Sequence, residues 1–228
     1  MFPRRHATDV QGTRACGQER AGFHSVLSSD QESLPNSVSE GFVPKIKGAV
    51  LLDSVKSIKA RGGDAELSRI VASLNGNARA IFEGPIYPWE WYPLDAFTDF
   101  LEADIRETAG GSPEALIARS EKVIETQLRG IYRVFVKLGS PGYVVKRIAS
   151  VHQTYFEGTE IIPEVDDAAS GATVKYIGFK GRHRILEYAI IGFYRKALEI
   201  SDAKQIAVRF SVPMSDDAPY SELIITWA

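Results

Sequence analysis

The residues best suited to chemistry form one short basic run, Lys180-Gly181-Arg182-His183-Arg184, at the predicted start of a helix. Backbone N–H groups at a helix start attract phosphate or carboxylate, and nearby cations add to that attraction. The run therefore predicts an anion site formed by Lys180, Arg182, His183 and Arg184. A solvated helix entrance is the simpler interpretation, because cations at this end of a helix oppose its dipole and need no ligand.

Two carboxylates, Glu187 and Glu199, interrupt the otherwise apolar run that follows. Burial would raise the pKa of either carboxyl group, as a general acid requires. An ion pair with Arg184 or Arg195 is the simpler explanation for both acids, because desolvation alone does not make a catalytic site. We therefore assign no catalytic residue.

The short motifs that accompany common enzyme chemistries are absent from the sequence. It contains no Gly-x-Ser-x-Gly, no phosphate-binding loop, no dinucleotide fingerprint and no His-Glu-x-x-His. Its one cysteine, Cys16, cannot form an internal disulfide or a cysteine-rich zinc site. The sequence thus favours a non-enzymatic protein without a metal site.

Four aromatic residues lie close together among prolines: Tyr87, Trp89, Trp91 and Tyr92. Trp and Tyr bury a large area at modest entropic cost, so the segment could anchor a protein partner or cover an apolar pocket. A loop whose rings fill the gap between helices is the interpretation we favour. In that case Pro93 starts the next helix, where its missing N–H costs nothing.

Charge and hydropathy exclude several classes of partner. The 228 residues carry 27 basic and 29 acidic side chains, a net charge of -2. A nucleic-acid groove or a polybasic membrane anchor needs clustered cations to meet phosphates, so neither is predicted. No run approaches the ~18–20 apolar residues of a membrane span. The first ten residues are too polar for a secretory signal, and a cytoplasmic location is predicted.

Composition changes near residue 41 and divides the chain. Residues 1–40 contain only Phe2 and Phe23 as aromatics and show no apolar period. Such a segment cannot bury enough surface to offset its ordering, so it predicts a disordered tail. A start codon placed too far upstream is the alternative. Residues 41–228 are predicted to form a single domain.

Apolar residues recur every three or four positions in the first part of that domain, which predicts helices separated by glycine and proline. The first predicted helix follows Pro44 and has Ile46, Val50, Leu51, Val55 and Ile58 on one face. Gly62-Gly63 ends it. The later predicted helices run from Asp64 to Leu74, from Asn77 to Gly84, from Pro93 to Gly110 and from Ser112 to Leu138. A last predicted helix follows the break at residues 139–142 and ends at Gly158.

After Gly158 the apolar spacing falls to two, the period of a β-strand. Residues 159–165 and 172–179 predict an antiparallel hairpin. Pro163 places the first strand at a sheet edge, because proline donates no ladder hydrogen bond.

The remaining order is a helix at 182–200 followed by alternating strands at 206–212 and 223–227. This predicts an α+β fold, with N-terminal helices packed on an antiparallel sheet of strand-strand-helix-strand-strand order. The helix at 182–200 is apolar on more than one face and must be covered on two sides. The N-terminal helices or a second copy of the chain could cover it, and a homodimer is predicted.

Five segments together resemble an uncharacterised family that is abundant as paralogues in myxobacteria. They are Ile46-Lys47-Gly48-Ala49-Val50-Leu51-Leu52, Arg61-Gly62-Gly63, Trp91-Tyr92-Pro93-Leu94, Gly130-Ile131-Tyr132-Arg133-Val134-Phe135-Val136 and Tyr155-Phe156-Glu157-Gly158. That family is similar in layout to a superfamily of haem–nitric-oxide/oxygen sensor domains, 4-vinyl reductase small-molecule-binding domains and TRAPP vesicle-tethering subunits. The resemblance implies N-terminal helices against an antiparallel sheet that a helix interrupts.

The resemblance to the gas sensors implies a haem hypothesis. In those sensors a histidine on a helix before the sheet ligates iron, and a Tyr-x-Ser-x-Arg motif holds the propionates. This chain has His152 on the corresponding helix and Tyr176-Ile177-Gly178-Phe179-Lys180 near the corresponding junction. Gly178 lacks the motif's hydroxyl, and Lys180 lacks the planar two-pronged donor of arginine. His152, Tyr176 and Lys180 are thus the candidates for holding haem, and no other cofactor is predicted.

Three functions follow from these observations. The leading hypothesis is a non-enzymatic module in bacterial signalling that binds a small apolar ligand or a protein partner, with the superfamily serving as an analogy. The alternative is a degenerate haem or tetrapyrrole gas sensor that uses His152. The third is an enzyme of the 4-vinyl reductase kind.

Overall fold

The computed structural model describes residues 43–127 and 139–228. Its helices are α1 (Gly48–Ala72), α2 (Gly76–Glu83), α3 (Leu94–Ala109), α4 (Pro113–Gln127), α5 (Pro141–Tyr155) and α6 (Ile185–Ile200). Its strands are β1 (Lys45–Lys47), β2 (Trp91–Pro93), β3 (Phe156–Glu157), β4 (Glu160–Asp166), β5 (Gly171–Ile177), β6 (Ala207–Val212) and β7 (Ser221–Thr226). A 3-10 turn, Gly181–His183, precedes α6. The predicted tail at 1–40 and the predicted helix end at 128–138 lie outside these residues.

The predicted α+β fold class is confirmed. Helices α1 to α5 come first, and the larger sheet then forms from two strands, helix α6 and two more strands. A buried apolar core joins α3, α4, α5 and α6 to the inner face of that sheet. Within the described ranges, no helix is both long enough and apolar enough to cross a bilayer.

The start of the domain differs from its prediction. Residues Lys45–Lys47 form β1, and α1 begins only at Gly48. Ile46 is fully buried while both lysines are half-buried, which is the alternation of a strand. β1 pairs antiparallel with β2 on one side and β3 on the other. The prediction of helix at Ile46 is wrong because three residues are too few to distinguish the two periods.

The predicted break at Gly62-Gly63 is confirmed. Gly63 has φ 70° and ψ -170°, a backbone conformation outside the helical region that interrupts α1. Glycine adopts positive φ at little cost, whereas other residues are strained there. The two halves of α1 therefore follow different directions, and the second half packs with α2 and α3 around Phe100 and Ile70.

The larger sheet has the strand order β4-β5-β7-β6, and all of its pairs are antiparallel. The predicted hairpin is confirmed, with Pro163 opposite Val174. β4 lies at the edge, as Pro163 predicts. Ala172, Val174 and Tyr176 point into the core, and Leu223 and Ile225 of β7 continue that inner face.

Helix α4 covers the second apolar face of α6. At Gly192 the two helices lie so close that a Cβ atom would be 2.3 Å from the carbonyl oxygen of Ile117. The Ser120 hydroxyl donates to the carbonyl of Ala189 at 2.6 Å, and Arg195 pairs with Glu121 at 3.3 Å. The apolar face thus finds a cover within its own chain, so it supplies no argument for the predicted homodimer.

Candidate functional site

His152 lies near the end of α5, where that helix meets the larger sheet, and only 7% of it is exposed. Its ring stacks on Phe156 with 4.6 Å between centroids and an interplanar angle of 7°. Phe179 approaches from a second side at 6.2 Å. The Nε2 atom is 2.9 Å from the hydroxyl of Thr159. One ring nitrogen of His152 therefore already has a protein partner.

The surroundings of His152 keep its imidazole neutral. Burial lowers the pKa of this side chain from 6.5 to about 4. A cation in an apolar site loses its hydration without compensation, which is why the charged form is disfavoured. Neutral imidazole is the form that binds metals, so the protonation state of His152 would suit a metal ligand. Its hydrogen bond to Thr159 would not, because that bond occupies the Nε2 atom.

The other two haem candidates, Tyr176 and Lys180, have different surroundings. Tyr176 is buried on the inner face of β5 and interacts with the hydroxyl of Tyr194 on α6. Burial, and then the neighbouring hydroxyl, raises the pKa of Tyr176 well above its usual value. Burial also raises the pKa of Tyr194 to about 12. The Tyr194 hydroxyl has no partner with regular hydrogen-bond geometry among the described residues. Lys180 is exposed.

Gly178 occupies the position where the gas-sensor motif has serine. Its φ is 87°, and a Cβ atom there would lie 2.6 Å from the carbonyl oxygen of Gly158. Any side chain at this position would be strained and would collide with backbone. The turn after β5 is thus built for glycine, and a serine hydroxyl has no room in it.

The basic run meets carboxylates of its own chain. His183 is fully buried, and its Nδ1 accepts the N–H of Lys180 at 3.0 Å. Its Nε2 therefore carries the proton and donates to Asp95 at 2.8 Å. Arg182 pairs with the same Asp95 oxygen at 3.0 Å. Burial lowers the pKa of His183, although Asp95 opposes that effect. Asp95 of the same chain thus supplies a negative charge beside two residues of the basic run, Arg182 and His183.

The two acids of the apolar helix have different surroundings. Glu187 is buried in α6 and accepts the backbone N–H of Met214 at 2.6 Å. Arg184 lies 4.0 Å from its other oxygen. Burial raises the pKa of Glu187, and the hydrogen bond from Met214 opposes that rise. Glu199 is mostly exposed and pairs with Lys196 at 2.6 Å. Both carboxylates thus have structural partners.

The aromatic segment divides into an inner and an outer pair. Tyr92 is half-buried, and its hydroxyl accepts the N–H of Tyr87 at 2.9 Å. Trp91 lies beneath the ammonium of Lys47, 4.0 Å from its ring centroid. Tyr87 and Trp89 point outward with 42% and 66% exposed, and their rings are 5.5 Å apart. The inner pair is therefore held by contacts within its own chain, whereas the outer pair is exposed.

Backbone hydrogen bonds fix this segment to the start of α1. The N–H of Gly48 donates to Glu90 at 2.9 Å, and that of Ala49 donates to Pro88 at 3.1 Å. These carbonyls satisfy donors that a helix start leaves open. A side chain at Gly48 would collide with the carbonyl of Tyr87. The outer pair, Tyr87 and Trp89, is thus presented on a well-supported loop.

Two residues that the sequence did not mark, Thr159 and Asp95, hold the candidate histidines. Asp95 lies 88 positions from His183, and Thr159 is the first residue after a glycine turn. A short polar residue at such places has many ordinary roles, so no local pattern marked either. Among the described residues, no group of three histidine, cysteine or acidic side chains could hold a metal ion.

Comparison with solved structures identifies the architecture. An H-NOX protein from K. algicida in the Fe(II) unliganded state matches with a TM-score of 0.60 and 14% identity, over 80% of this chain and 97% of that chain. An H-NOX protein from S. oneidensis in the Fe(II)NO state matches with a TM-score of 0.60 and 14% identity, over 80% and 99%. The fold is that of H-NOX domains. An oxygen-binding H-NOX domain related to soluble guanylate cyclases, in its oxygen complex, gives a TM-score of 0.57 at 14% identity, over 80% and 95%.

No family model matches the chain, and no curated protein matches its sequence. The H-NOX likeness therefore concerns the fold. Haem must be judged on the side chains present. His152 has the right protonation state, but its Nε2 is bonded to Thr159 and its ring is packed on Phe156. Gly178 has no room for a hydroxyl. In this arrangement the residues do not fit haem.

Proposed function

We propose that the chain is a non-enzymatic signalling module that uses the H-NOX fold to bind a protein partner. The observation that carries this proposal is the outer aromatic pair, Tyr87 and Trp89, on a loop fixed to α1. Trp and Tyr dominate binding hot spots, and a rigid loop lowers the entropy lost on binding. Binding is favoured over catalysis because the buried titratable groups His183 and Glu187 are held by structural partners.

A protein partner has more support than a small apolar ligand, the other occupant that the sequence predicts. One surface cleft in the described structure is lined mainly by polar and charged groups, with a single apolar side chain, and such a cleft does not suit an apolar molecule. Its lining consists of Ser73, Leu74, Asn75, Asp99, Glu102 and Arg106. The outer pair, in contrast, offers apolar area on a convex loop, as a protein partner requires.

Native mass spectrometry of the full chain, purified from its own cells, tests the proposal. We expect a non-covalent complex that Trp89→Ala abolishes, because the most exposed ring of the outer pair is lost. Tyr143→Ala is the matched control, since Tyr143 is an exposed aromatic on α5 and its loss should leave the complex intact. A wild-type chain observed only at its own mass contradicts the proposal. A complex of twice that mass would support the predicted homodimer.

The haem gas sensor is the second candidate. Taken alone, the H-NOX fold supports it better than a general binding module, because the matched H-NOX proteins were solved in Fe(II), NO-bound and oxygen-bound states. His152, buried and neutral, is the feature of this chain that favours it. Haem binding would require the His152–Thr159 hydrogen bond to open, and Gly178 would supply no hydroxyl to a propionate.

A further inference from the structure

Four side chains close the junction between α5 and the larger sheet. This junction cluster consists of His152, Phe156, Thr159 and Phe179, which come from α5, β3, the turn before β4 and the turn after β5. Phe156 stacks on His152, and Phe179 lies 6.2 Å from the His152 ring and 6.3 Å from the Phe156 ring. Phe179 also packs edge-on against Tyr176 at 5.7 Å. The cluster is therefore continuous with the core of the sheet.

The two backbone turns beside the cluster also lie close to each other. Gly178 approaches the carbonyl of Gly158 so tightly that no Cβ atom fits between the two turns. Thr159 follows Gly158 directly, so the same approach sets its hydroxyl beside His152. His183 also meets the Phe179 ring edge-on at 6.1 Å and bonds to Asp95. Phe179 is thus buried, with four rings of its own chain around it.

We infer that the junction cluster takes the place of a cofactor as the internal support of this fold. His152 acts as a structural hydrogen-bonding residue, and the domain is complete without haem. This inference does not depend on the outer aromatic pair. It follows from the contacts of His152, from the closed turns at Gly158 and Gly178, and from the absence of room for a serine hydroxyl. A histidine reserved for a ligand would instead contribute little to the stability of the ligand-free protein.

A double-mutant cycle on the ligand-free full chain tests the inference. Thr159→Val removes the hydroxyl at nearly constant shape, and His152→Phe removes the nitrogen while keeping an aromatic ring. Each single change should raise the unfolding constant by roughly tenfold, because a buried polar partner loses its hydrogen bond. The double variant should be no less stable than Thr159→Val alone, because removing both partners leaves nothing unpaired.

Two outcomes overturn the inference. One is a His152→Phe variant as stable as the wild type or more so. The other is strict additivity of the two changes, which would mean that the hydrogen bond contributes nothing. Ser150→Ala is the matched control on the same helix, because Ser150 is exposed and its hydroxyl donates to the carbonyl of Arg147 within that helix. It should leave the unfolding constant within about twofold of the wild type.

Discussion

Replacing Asp104 by asparagine is expected to lower the free energy of unfolding by about 3 kcal/mol, because it removes the charge that Arg119 and Arg61 share, and only Arg61 keeps a second carboxylate, Glu66. Asp104 is a buried residue of α3, with 4% of it exposed. Its carboxylate receives Arg61 from α1 at 2.6 Å and Arg119 from α4 at 2.8 Å. Arg119 also donates to Thr108 at 2.8 Å. One acid thus joins three helices.

Thermal and urea unfolding of the full chain measure this effect. For a domain of this size, the loss corresponds to a fall in Tm of roughly 10 °C. The control is Glu83→Gln, which breaks an exposed pair with Arg79 at 2.8 Å within α2. Exposed pairs of this spacing contribute about 0.3–0.5 kcal/mol, so the free energy of unfolding of the control should change little. Equal effects of the two substitutions would contradict the assignment of Asp104 as the link between the helices.

Acidification from pH 7 to pH 4 is expected to cost about 3 kcal/mol of stability through His152 alone. The pKa of His152 is about 4 in the folded chain and 6.5 when unfolded. Between these values the unfolded chain binds the proton and the folded chain does not, so stability falls as the pH falls. The contribution is fully present above pH 6.5, and each unit of difference corresponds to ~1.36 kcal/mol.

The measurement compares wild type with His152→Phe across that range, each relative to its own stability at pH 7. The variant should lose about 3 kcal/mol less than the wild type between pH 7 and pH 4. Other acid-sensitive groups, His183 among them, remain in both proteins and cancel in the comparison. Parallel curves for the two proteins would show that His152 is not held neutral by burial.

The parts of the fold that follow local rules could be predicted from the sequence. The glycine at position 63 ends a helical run, and Pro163 confines its strand to a sheet edge. The change of period at Gly158 correctly separates helices from the larger sheet. Such features depend on backbone conformation or on the pattern of neighbouring residues, and both are visible in a single sequence.

The candidate site could be predicted only in part, because its partners are distant in sequence. The predicted position of His152 on a helix before the sheet was correct. Its hydrogen bond to Thr159, however, depends on how closely the turns at Gly158 and Gly178 approach each other. The basic run was identified as a cluster, yet Asp95 lies 88 positions earlier. Arg61 and Asp104 are 43 positions apart. Pairings of this kind follow from tertiary packing, which residue spacing alone does not specify.

Titration of the purified full chain with haem, followed by visible absorption, tests the central claim most directly. That claim is that this chain uses the H-NOX fold without haem, with His152 committed to Thr159. We expect the same weak, unspecific spectrum for the wild type, His152→Ala and Thr159→Val, because in all three Gly178 supplies no hydroxyl to a propionate and Phe156 and Phe179 fill the surroundings of position 152. A Soret band that appears in the wild type, strengthens in Thr159→Val and vanishes in His152→Ala would contradict the claim and show that His152 binds haem.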